Sequence, residues 1–291
     1  MINGRIMKGV GGLYTVATEN GRYACGVRGI FRKQKLEPTV GDFVGIDEIN
    51  EKDKTATISR FFERKNRLIR PRVSNVDQAV IVVAAKNPDM SLDLLDRFIL
   101  LAEEQRLEIL ICINKTDLTS DWRRVKELYE QIGYAVEAVS CTESGNAAGA
   151  DAAEILKPRL LGKVSVFAGP SGVGKSSVTN LLLAEMKMEV GALSEGIQRG
   201  KHTTRHAELF ELAPNGFIVD SPGFTSLELN HIPRASLAGY FREFAPYLGK
   251  CRFNDCRHIN EPDCAVKEKV GNEICKERYE RYVKFFEELR S

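Results

Sequence analysis

The segment at residues 164–180, VSVFAGPSGVGKSSVTN, constrains this chain more than any other. A short apolar run predicts a buried strand, and the run SVTNLLLA after the loop predicts the start of a helix. Between them stands the pattern Gly-x-x-x-x-Gly-Lys-Ser, which in this strand–loop–helix setting is typical of a phosphate-binding loop. The candidate residues are Gly169, Pro170, Ser171, Gly172, Val173, Gly174, Lys175, Ser176 and Ser177. An ordinary glycine-rich turn before a helix is the alternative.

The residue types of this loop suit phosphate chemistry. Glycines let successive backbone N–H groups turn inward around phosphate oxygens, where a side chain would block the approach. Lys175 offers a cation to the terminal phosphates, and Ser176 offers a hydroxyl ligand to Mg²⁺. The N-terminus of the helix adds a partial positive charge. We therefore predict a site for a nucleoside triphosphate with Mg²⁺.

The first 70 residues predict a small all-β module. Four short segments are rich in Val, Ile, Tyr, Phe and Thr, and they lie at residues 5–18, 22–32, 42–50 and 55–63. Asn20-Gly21 favours a hairpin turn. Several short strands in a segment of this length predict a small barrel, with an OB-fold as the first choice and an SH3-like barrel as the second.

The same module carries an excess of basic residues. Residues 1–70 hold 14 Lys and Arg against 8 Asp and Glu, residues 71–228 hold 16 against 22, and residues 229–291 hold 12 against 10. This distribution favours contact of the flanking parts with a polyanion such as RNA, and solvated surface charge is the alternative. The aromatic residues of the module could stack on bases, although we expect most of them in the core. They are Tyr14, Tyr23, Phe31 and Phe43.

Arg70-Pro71-Arg72 indicates a domain boundary, because strands and amphipathic helices alternate after it. The predicted strands lie at residues 79–85, 108–113, 134–139, 164–168 and 216–219, and the predicted helices at residues 92–107, 122–132 and 175–184. This alternation predicts an α/β domain with a mainly parallel sheet and helices on both faces.

Asn114, Lys115, Thr116 and Asp117 directly follow the strand at residues 108–113. A carboxylate can accept two hydrogen bonds from the N1–H and 2-amino groups of guanine, and adenine offers no such pair of donors. Because ligands of open α/β sheets bind at the carboxyl ends of the strands, this position predicts selection of guanine by Asp117. The backbone amides of Ser140 and Cys141, after the next strand, are candidates to meet the guanine O6.

Polar residues that follow the phosphate loop suit the terminal phosphate and Mg²⁺. Thr204 lies in the polar stretch at residues 200–206 and offers a hydroxyl to Mg²⁺. Asp220 ends a predicted strand and would hold Mg²⁺ through water, and the Gly223 amide would contact the γ-phosphate. Ordinary GTPases place Asn-Lys-x-Asp after these segments, whereas this chain places it before the phosphate loop. The order therefore predicts a circularly permuted GTPase domain.

The C-terminal part contains three cysteines and one histidine within 14 residues: Cys251, Cys256, His258 and Cys264. Such a set can hold one structural Zn²⁺ and stabilise a loop that is too small to have its own core. Four unrelated neighbouring side chains are the alternative. Helical spacing with Tyr279, Tyr282, Phe286 and Leu289 predicts that Cys275 faces the core from a terminal amphipathic helix. Cys25, Cys112 and Cys141 are interpreted as structural.

Together, NKTD before GPSGVGKSS, then KHTTRH, DSPGF and the Cys/His set resemble the RsgA family of small ribosomal subunit biogenesis GTPases over essentially the whole chain. The resemblance implies an N-terminal OB-fold (residues 1–70), a permuted GTPase domain (71–228) and a C-terminal zinc-binding domain with a terminal helix (229–291). It also implies that GTP is hydrolysed to GDP and phosphate, with stimulation by the small ribosomal subunit and its rRNA as partners. Arg205, Ser221 and the guanine loop Ser140-Cys141-Thr142 depart from the usual family residues.

Phe224 stands where many GTPases carry the glutamine that orients the attacking water, so we expect unassisted hydrolysis about 10³–10⁵-fold below the assisted rate. His202 is the candidate to replace that glutamine, as the resemblance also implies, and a polar loop residue without a catalytic role is the alternative. Two other functions stay open at this point. One is an RNA-binding adaptor that does not turn over GTP, and the other is a P-loop kinase for a small acceptor.

Apolar runs in the chain stay well short of the ~20 residues that span a membrane, and its first residues lack a signal-peptide core. The seven cysteines show no spacing that suggests a disulfide framework. We therefore expect a cytoplasmic monomer that has no membrane contact.

Overall fold

The computed structural model of the chain describes residues 1–33, 36–69, 71–141, 148–190, 207–212, 215–220 and 228–289. The chain divides into two compact units, each assembled from separate segments. The first unit comprises Met1–Val80, Glu143–Ala168 and Lys175–Thr225. The second comprises Ile81–Thr142, Gly169–Gly174 and Ser226–Ser291.

The regular elements follow in chain order. The first group is β1 (Ile2–Val10), β2 (Leu13–Thr18), β3 (Gly21–Val27), α1 (Gly29–Lys33), β4 (Phe43–Asn50), β5 (Thr55–Phe61), β6 (Arg67–Leu68), β7 (Val73–Ser74), β8 (Gln78–Ala84), α2 (Leu92–Glu104) and β9 (Glu108–Asn114). The second group is α3 (Trp122–Ile132), β10 (Ala135–Ala138), α4 (Ala148–Leu160), β11 (Val164–Ala168), α5 (Lys175–Val190), β12 (Glu208–Leu212), β13 (Gly216–Asp220) and α6 (Lys276–Glu288).

The N-terminal strands of the first unit close into a five-stranded barrel. Its strand order is β1-β2-β3-β5-β4, and β4 pairs back onto β1. The pairing of β3 with β5 is parallel and the remaining barrel pairings are antiparallel. The alternating burial of these strands follows from the period-two pattern of their side chains, because one face lines the barrel interior. The predicted barrel of the OB type is confirmed.

The expectation that most barrel aromatics lie in the core is wrong. Tyr23 is buried at 1% exposure, whereas Tyr14 and Phe31 are half-buried and Phe43 is 42% exposed. Phe43 lies on the outer side of the barrel, where the guanidinium carbon of Arg5 lies 4.3 Å from the centre of its ring. Cationic cover of this kind lets an aromatic ring sit outside a core.

The barrel continues into a sheet within the first unit. The strand order is β11-β13-β12-β1, so that β12 lies between β13 and the first barrel strand. β11 and β13 are parallel, whereas β12 runs antiparallel to β13. β12 and α4 were not predicted from the sequence.

The second unit contains strands in the order β10-β9-β8, of which β9 and β10 are parallel. Every residue of β8 is buried, which is the pattern of a strand covered on both faces. The predicted helices at residues 92–107 and 122–132 are present as α2 and α3, and the α/β fold class is confirmed. The C-terminal part of this unit packs α6 against short 3₁₀ turns through contacts of Tyr282 with Phe241 and Phe244, all of which are buried.

Cys275 does not face the core as predicted. It precedes the first residue of α6 and is half-buried, and its thiol donates to the carboxylate of Glu277 at 3.1 Å. The helix begins one residue later than the apolar spacing suggested, so the cysteine belongs to the cap instead of the helix face. Among the described residues, the helices are too short or too polar to cross a bilayer.

Candidate nucleotide and metal sites

Asn114 connects the candidate guanine motif to the phosphate loop. This last residue of β9 is 2% exposed. Its amide nitrogen Nδ2 donates to the backbone carbonyl of Val173 at 3.0 Å, and its Oδ1 accepts from the backbone N–H of Cys141 at 3.2 Å. One buried side chain thereby joins three loops at the carboxyl ends of the strands of the second unit. A buried amide with both ends paired fixes loop geometry, because breaking either bond would leave a buried polar group unsatisfied.

Lys115 makes a second connection to the phosphate loop. Its backbone is left-handed (φ 61°), and its ammonium donates to the carbonyl of Gly172 at 2.8 Å and to the carbonyl of Asn87. Asn87 follows β8 and was not predicted from the sequence to contact these loops. Its position after the carboxyl end of β8, the strand next to β9, could have indicated this role.

Two glycines of the phosphate loop are required by close approach. A Cβ on Gly169 (φ 135°) would lie 2.1 Å from the carbonyl oxygen of Val82, and a Cβ on Gly174 (φ 94°) would lie 2.3 Å from Nδ2 of Asn114. Both positions also have backbone angles that disfavour other residues. Gly169 and Gly174 therefore permit the close contact of this loop with β8 and with Asn114.

Asp117 lies in the short 3₁₀ turn Thr116–Leu118 and is exposed. The hydroxyl of Ser140 donates to its Oδ1, and the backbone N–H of Thr116 donates to the carbonyl of Val139 at 3.3 Å. The residues after β10 thus form hydrogen bonds both with the backbone of the 3₁₀ turn and with the carboxylate of Asp117. Ser140 therefore contacts Asp117 through its side chain, a role that differs from the backbone contact to guanine considered from the sequence.

Lys175 begins α5 in the first unit and is half-buried. Burial lowers the pKa of Lys175, because desolvation disfavours the charged ammonium. The charge of a bound phosphate would oppose this effect. Ser171 and Ser176 are exposed, and Ser177 is half-buried.

The remaining candidates for the γ-phosphate and Mg²⁺ are only partly covered by the described residues. Asp220 is the last residue of β13, and its Cα is in register with that of Glu208 at the start of β12. His202, Thr204 and Gly223 lie outside the described residues, as do Arg205, Ser221 and Phe224.

The structure brings together the four predicted metal ligands. The ligand atoms of Cys251, Cys256, His258 and Cys264 all lie within 4.8 Å of one another. The Nδ1 of His258 is 3.5 Å from the Sγ of Cys251 and 3.4 Å from the Sγ of Cys264, and these two sulfurs are 3.9 Å apart. Such separations are close to the edges of a tetrahedron with Zn–S bonds of about 2.3 Å. Burial lowers the pKa of His258, which favours the neutral imidazole that binds metal. The donor set and its spacing suggest a zinc site.

The loop that carries these ligands is held from two sides. Burial alone would raise the pKa of Glu261, but the backbone N–H groups of Arg257, Ile259 and Asn260 donate to its carboxylate and lower that pKa to about 2. From α6, the hydroxyl of Tyr279 donates to the carbonyl of His258 at 2.7 Å. These hydrogen bonds hold the backbone of the ligand loop.

A buried ionic cluster ties α6 to the rest of the second unit, and it consists of Asp96, Tyr129, Glu243, Arg278 and Arg281. Asp96 of α2 is 1% exposed and Arg278 is 0% exposed. The carboxylate of Asp96 accepts from Arg278, from Arg281 and, at 2.6 Å, from the hydroxyl of Tyr129. Arg278 also donates to Glu243. This cluster was not predicted from the sequence, although Asp96 and Arg278 are charged residues on otherwise apolar helix faces.

Comparison with known proteins places these features in one family. The model of the RsgA GTPase family matches residues 61–230, and the model of the RsgA N-terminal domain matches residues 3–58. A small ribosomal subunit biogenesis GTPase RsgA from Alkaliphilus metalliredigens is 43% identical over 293 aligned residues, which cover 100% of this chain and 98% of the relative. The protein of the same name from Clostridium novyi is 45% identical, with 99% of this chain and 97% of the relative covered.

Two solved structures resemble the chain over almost its full length. One is YloQ, described as a circularly permuted GTPase, with a TM-score of 0.82, 38% identity and coverage of 99% of this chain and 95% of YloQ. The other is YjeQ from Thermotoga maritima, with the same TM-score and identity and coverage of 99% and 98%. The chain therefore belongs to the RsgA GTPase family and is a GTP-hydrolysing enzyme with a circularly permuted GTPase domain.

Proposed function

We propose that this chain hydrolyses GTP to GDP and phosphate while it assists the maturation of the small ribosomal subunit, and that the subunit stimulates the hydrolysis. The observation that carries the proposal is the pair of hydrogen bonds made by Asn114, which joins the Asn-Lys-x-Asp motif to the phosphate loop. The names of the curated relatives supply the ribosomal assignment. The basic N-terminal part and the basic C-terminal part supply positive charge for the rRNA.

The guanine base, the phosphates and Mg²⁺ would each be bound by a different group of residues. Asp117, oriented by Ser140, would select guanine, and the amide of Cys141 would face its O6. The loop residues Gly169–Gly174 would surround the phosphates, and the next residue in the chain, Lys175, would neutralise the terminal phosphates. Ser176, Thr204 and, through water, Asp220 would hold Mg²⁺, which supplies charge neutralisation when it is bound. The amide of Gly223 would contact the γ-phosphate.

We further propose the domain assignment implied by the resemblance. Residues 1–70 form the domain that contacts rRNA, residues 71–228 the GTPase domain, and residues 229–291 the zinc-binding domain. One Zn²⁺ would be held by Cys251, Cys256, His258 and Cys264 in a structural role, because all four positions are filled by protein ligands. The chain would act as a cytoplasmic monomer.

The proposal is tested by measuring phosphate release from GTP with and without purified small ribosomal subunits. We expect repeated turnover with subunits at least about tenfold faster than without them, and little hydrolysis of ATP. Large ribosomal subunits at equal concentration serve as the control for bulk RNA. Release of no more than one phosphate per chain in the presence of small subunits would instead indicate a non-catalytic adaptor.

His202 is predicted to orient the attacking water. Replacement by alanine should leave the dissociation constants of GTP and GDP unchanged and lower subunit-stimulated turnover by about 10²–10⁴-fold, because a positioned acid–base group is lost. The matched control is His231→Ala, since His231 is exposed and lies 3.9 Å from Glu104 in the second unit. Unchanged stimulated turnover in His202→Ala would remove His202 from the mechanism.

Zinc content tests the metal assignment directly. We expect about one zinc per purified chain by mass spectrometry, and a large loss of zinc in Cys256→Ser, because three ligands hold zinc far more weakly than four. Cys275→Ser is the matched control, since Cys275 lies near the cluster in sequence but bonds to Glu277. Equal zinc content in both variants would contradict the assignment.

A further inference from the structure

The bulge in β1 marks the point where the barrel joins the rest of the first unit. Ile6 is opposite Val16 in β2, whereas Lys8 is opposite Thr15, so that Met7 is the additional residue. Ile6 and Met7 are both buried, which breaks the alternation of the strand. Bulges of this kind bend a strand and redirect its side chains. After the bulge, β1 pairs with β12 while it still pairs with β2.

Three residues on neighbouring strands β1, β12 and β13 lie in one row across the sheet, and the row ends at Asp220. The Cα of Lys8 is in register with that of Glu208, and the Cα of Glu208 is in register with that of Asp220. Lys8 also forms an ion pair with Glu208, with 2.8 Å between Nζ and Oε2. Asp220 is the residue proposed to hold Mg²⁺ through water. The barrel is therefore one strand away from that residue.

A second contact supports the same junction. The guanidinium carbon of Arg5 lies 4.3 Å from the ring centre of Phe43 in β4 and 4.6 Å from that of Phe217 in β13. The cation thus lies close to one ring of the barrel and one ring of the strand that carries Asp220. Burial lowers the pKa of Arg5, which reflects the desolvation of this position. Cation–π contacts gain strength when they are desolvated.

We propose that Lys8 and Arg5 are positioning residues that transmit docking of the barrel to the Mg²⁺ end of β13 and so set the rate of stimulated hydrolysis. This inference rests on the proposed function, because it requires the barrel to dock on the small ribosomal subunit. When the barrel is held by that partner, the paired row Lys8–Glu208–Asp220 fixes the backbone at the end of β13. Phosphoryl transfer depends steeply on such placement, and an error of about 1 Å can cost 10²-fold in rate.

The test uses charge reversal in the full chain. Lys8→Glu places a negative charge opposite Glu208, and we expect it to lower the stimulated kcat about tenfold. The subunit concentration for half-maximal stimulation, the affinity for GDP and the unstimulated rate should each stay within about twofold. The double variant Lys8→Glu/Glu208→Lys reverses the pair and should restore kcat, which a general folding defect would not allow. Arg5→Met should also lower kcat, because it keeps the apolar stem and removes the cation.

Lys54→Glu is the matched control. Lys54 is an exposed barrel lysine whose carboxylate partner, Glu51, also lies in the barrel, and this variant should show normal stimulation. Normal stimulation of Lys8→Glu and Arg5→Met would overturn the inference while the proposed function stands. A loss confined to the half-maximal subunit concentration would also overturn it, since the residues would then serve docking alone. Absence of stimulation in the unaltered chain would contradict the proposed function and the inference with it.

Discussion

Replacement of Asp96 by alanine is expected to lower the free energy of unfolding by about 3–5 kcal/mol. The carboxylate of Asp96 is 1% exposed and accepts hydrogen bonds from Arg278 and Arg281. Without it, Glu243 is the one charged partner that the described part of the chain leaves to the fully buried guanidinium of Arg278. A buried charge that loses its partner is costly because burial has already removed the water that would solvate it.

Urea denaturation measured by tryptophan fluorescence is a direct readout of this effect. The chain has one tryptophan, Trp122, which is the first residue of α3 and belongs to the same unit as the ionic cluster. Asp93→Ala is the matched control on the same helix. Asp93 pairs with Arg97 and with the exposed Lys284, and its loss should cost about 1 kcal/mol or less. Equal destabilisation by the two variants would show that the ionic cluster is not what holds α6.

Replacement of Asp117 by asparagine should weaken GTP binding by about 10²–10⁴-fold, the equivalent of two lost hydrogen bonds to a charged group. The asparagine amide presents a donor where the carboxylate accepts from the 2-amino group of guanine. Xanthosine triphosphate carries an oxygen in place of that amino group, so the variant should bind it better than the unaltered chain does. Calorimetry with GTP, ATP and xanthosine triphosphate measures the change in preference.

Asp121→Asn controls for the loss of a negative charge close to Asp117 in the sequence. Asp121 is exposed, precedes α3 and makes no capping hydrogen bond through its side chain. It should leave the affinities for all three nucleotides unchanged. Undiminished discrimination between GTP and ATP in Asp117→Asn would refute the assignment of Asp117 as the guanine-selecting residue. The other nucleotide contacts could then be tested independently.

The parts of the protein that depend on short spacing could be predicted from the sequence. The phosphate loop and the Cys/His set each lie within one short segment, so the residue types and their intervals indicated their chemistry. The permuted order of the motifs was also visible, because it is a property of the chain order itself. Strongly apolar strands such as β8, and amphipathic helices such as α2 and α3, were predicted because burial imposes their patterns.

Features that depend on contacts between distant segments could not be predicted in this way. The Asn-Lys-x-Asp motif was identified from adjacent residues, but the hydrogen bond from Asn114 to Val173 joins residues 59 positions apart in the chain. Likewise, the contribution of Asn87 arises from its backbone carbonyl, which any residue would offer. Cys275 was misplaced because apolar spacing does not show where a helix begins.

Residue types at close intervals were enough to indicate the family, the candidate phosphate and guanine motifs and the four candidate metal ligands. The fold was needed to show that Lys8 pairs with Glu208 of β12, that Arg5 contacts Phe217 of β13 and that Asp96 forms ion pairs with Arg278 and Arg281. These contacts were not predictable because strand pairing and the burial of charge depend on partners far along the chain. A single lysine or aspartate in a sequence does not indicate whether its side chain is solvated or buried in an ion pair.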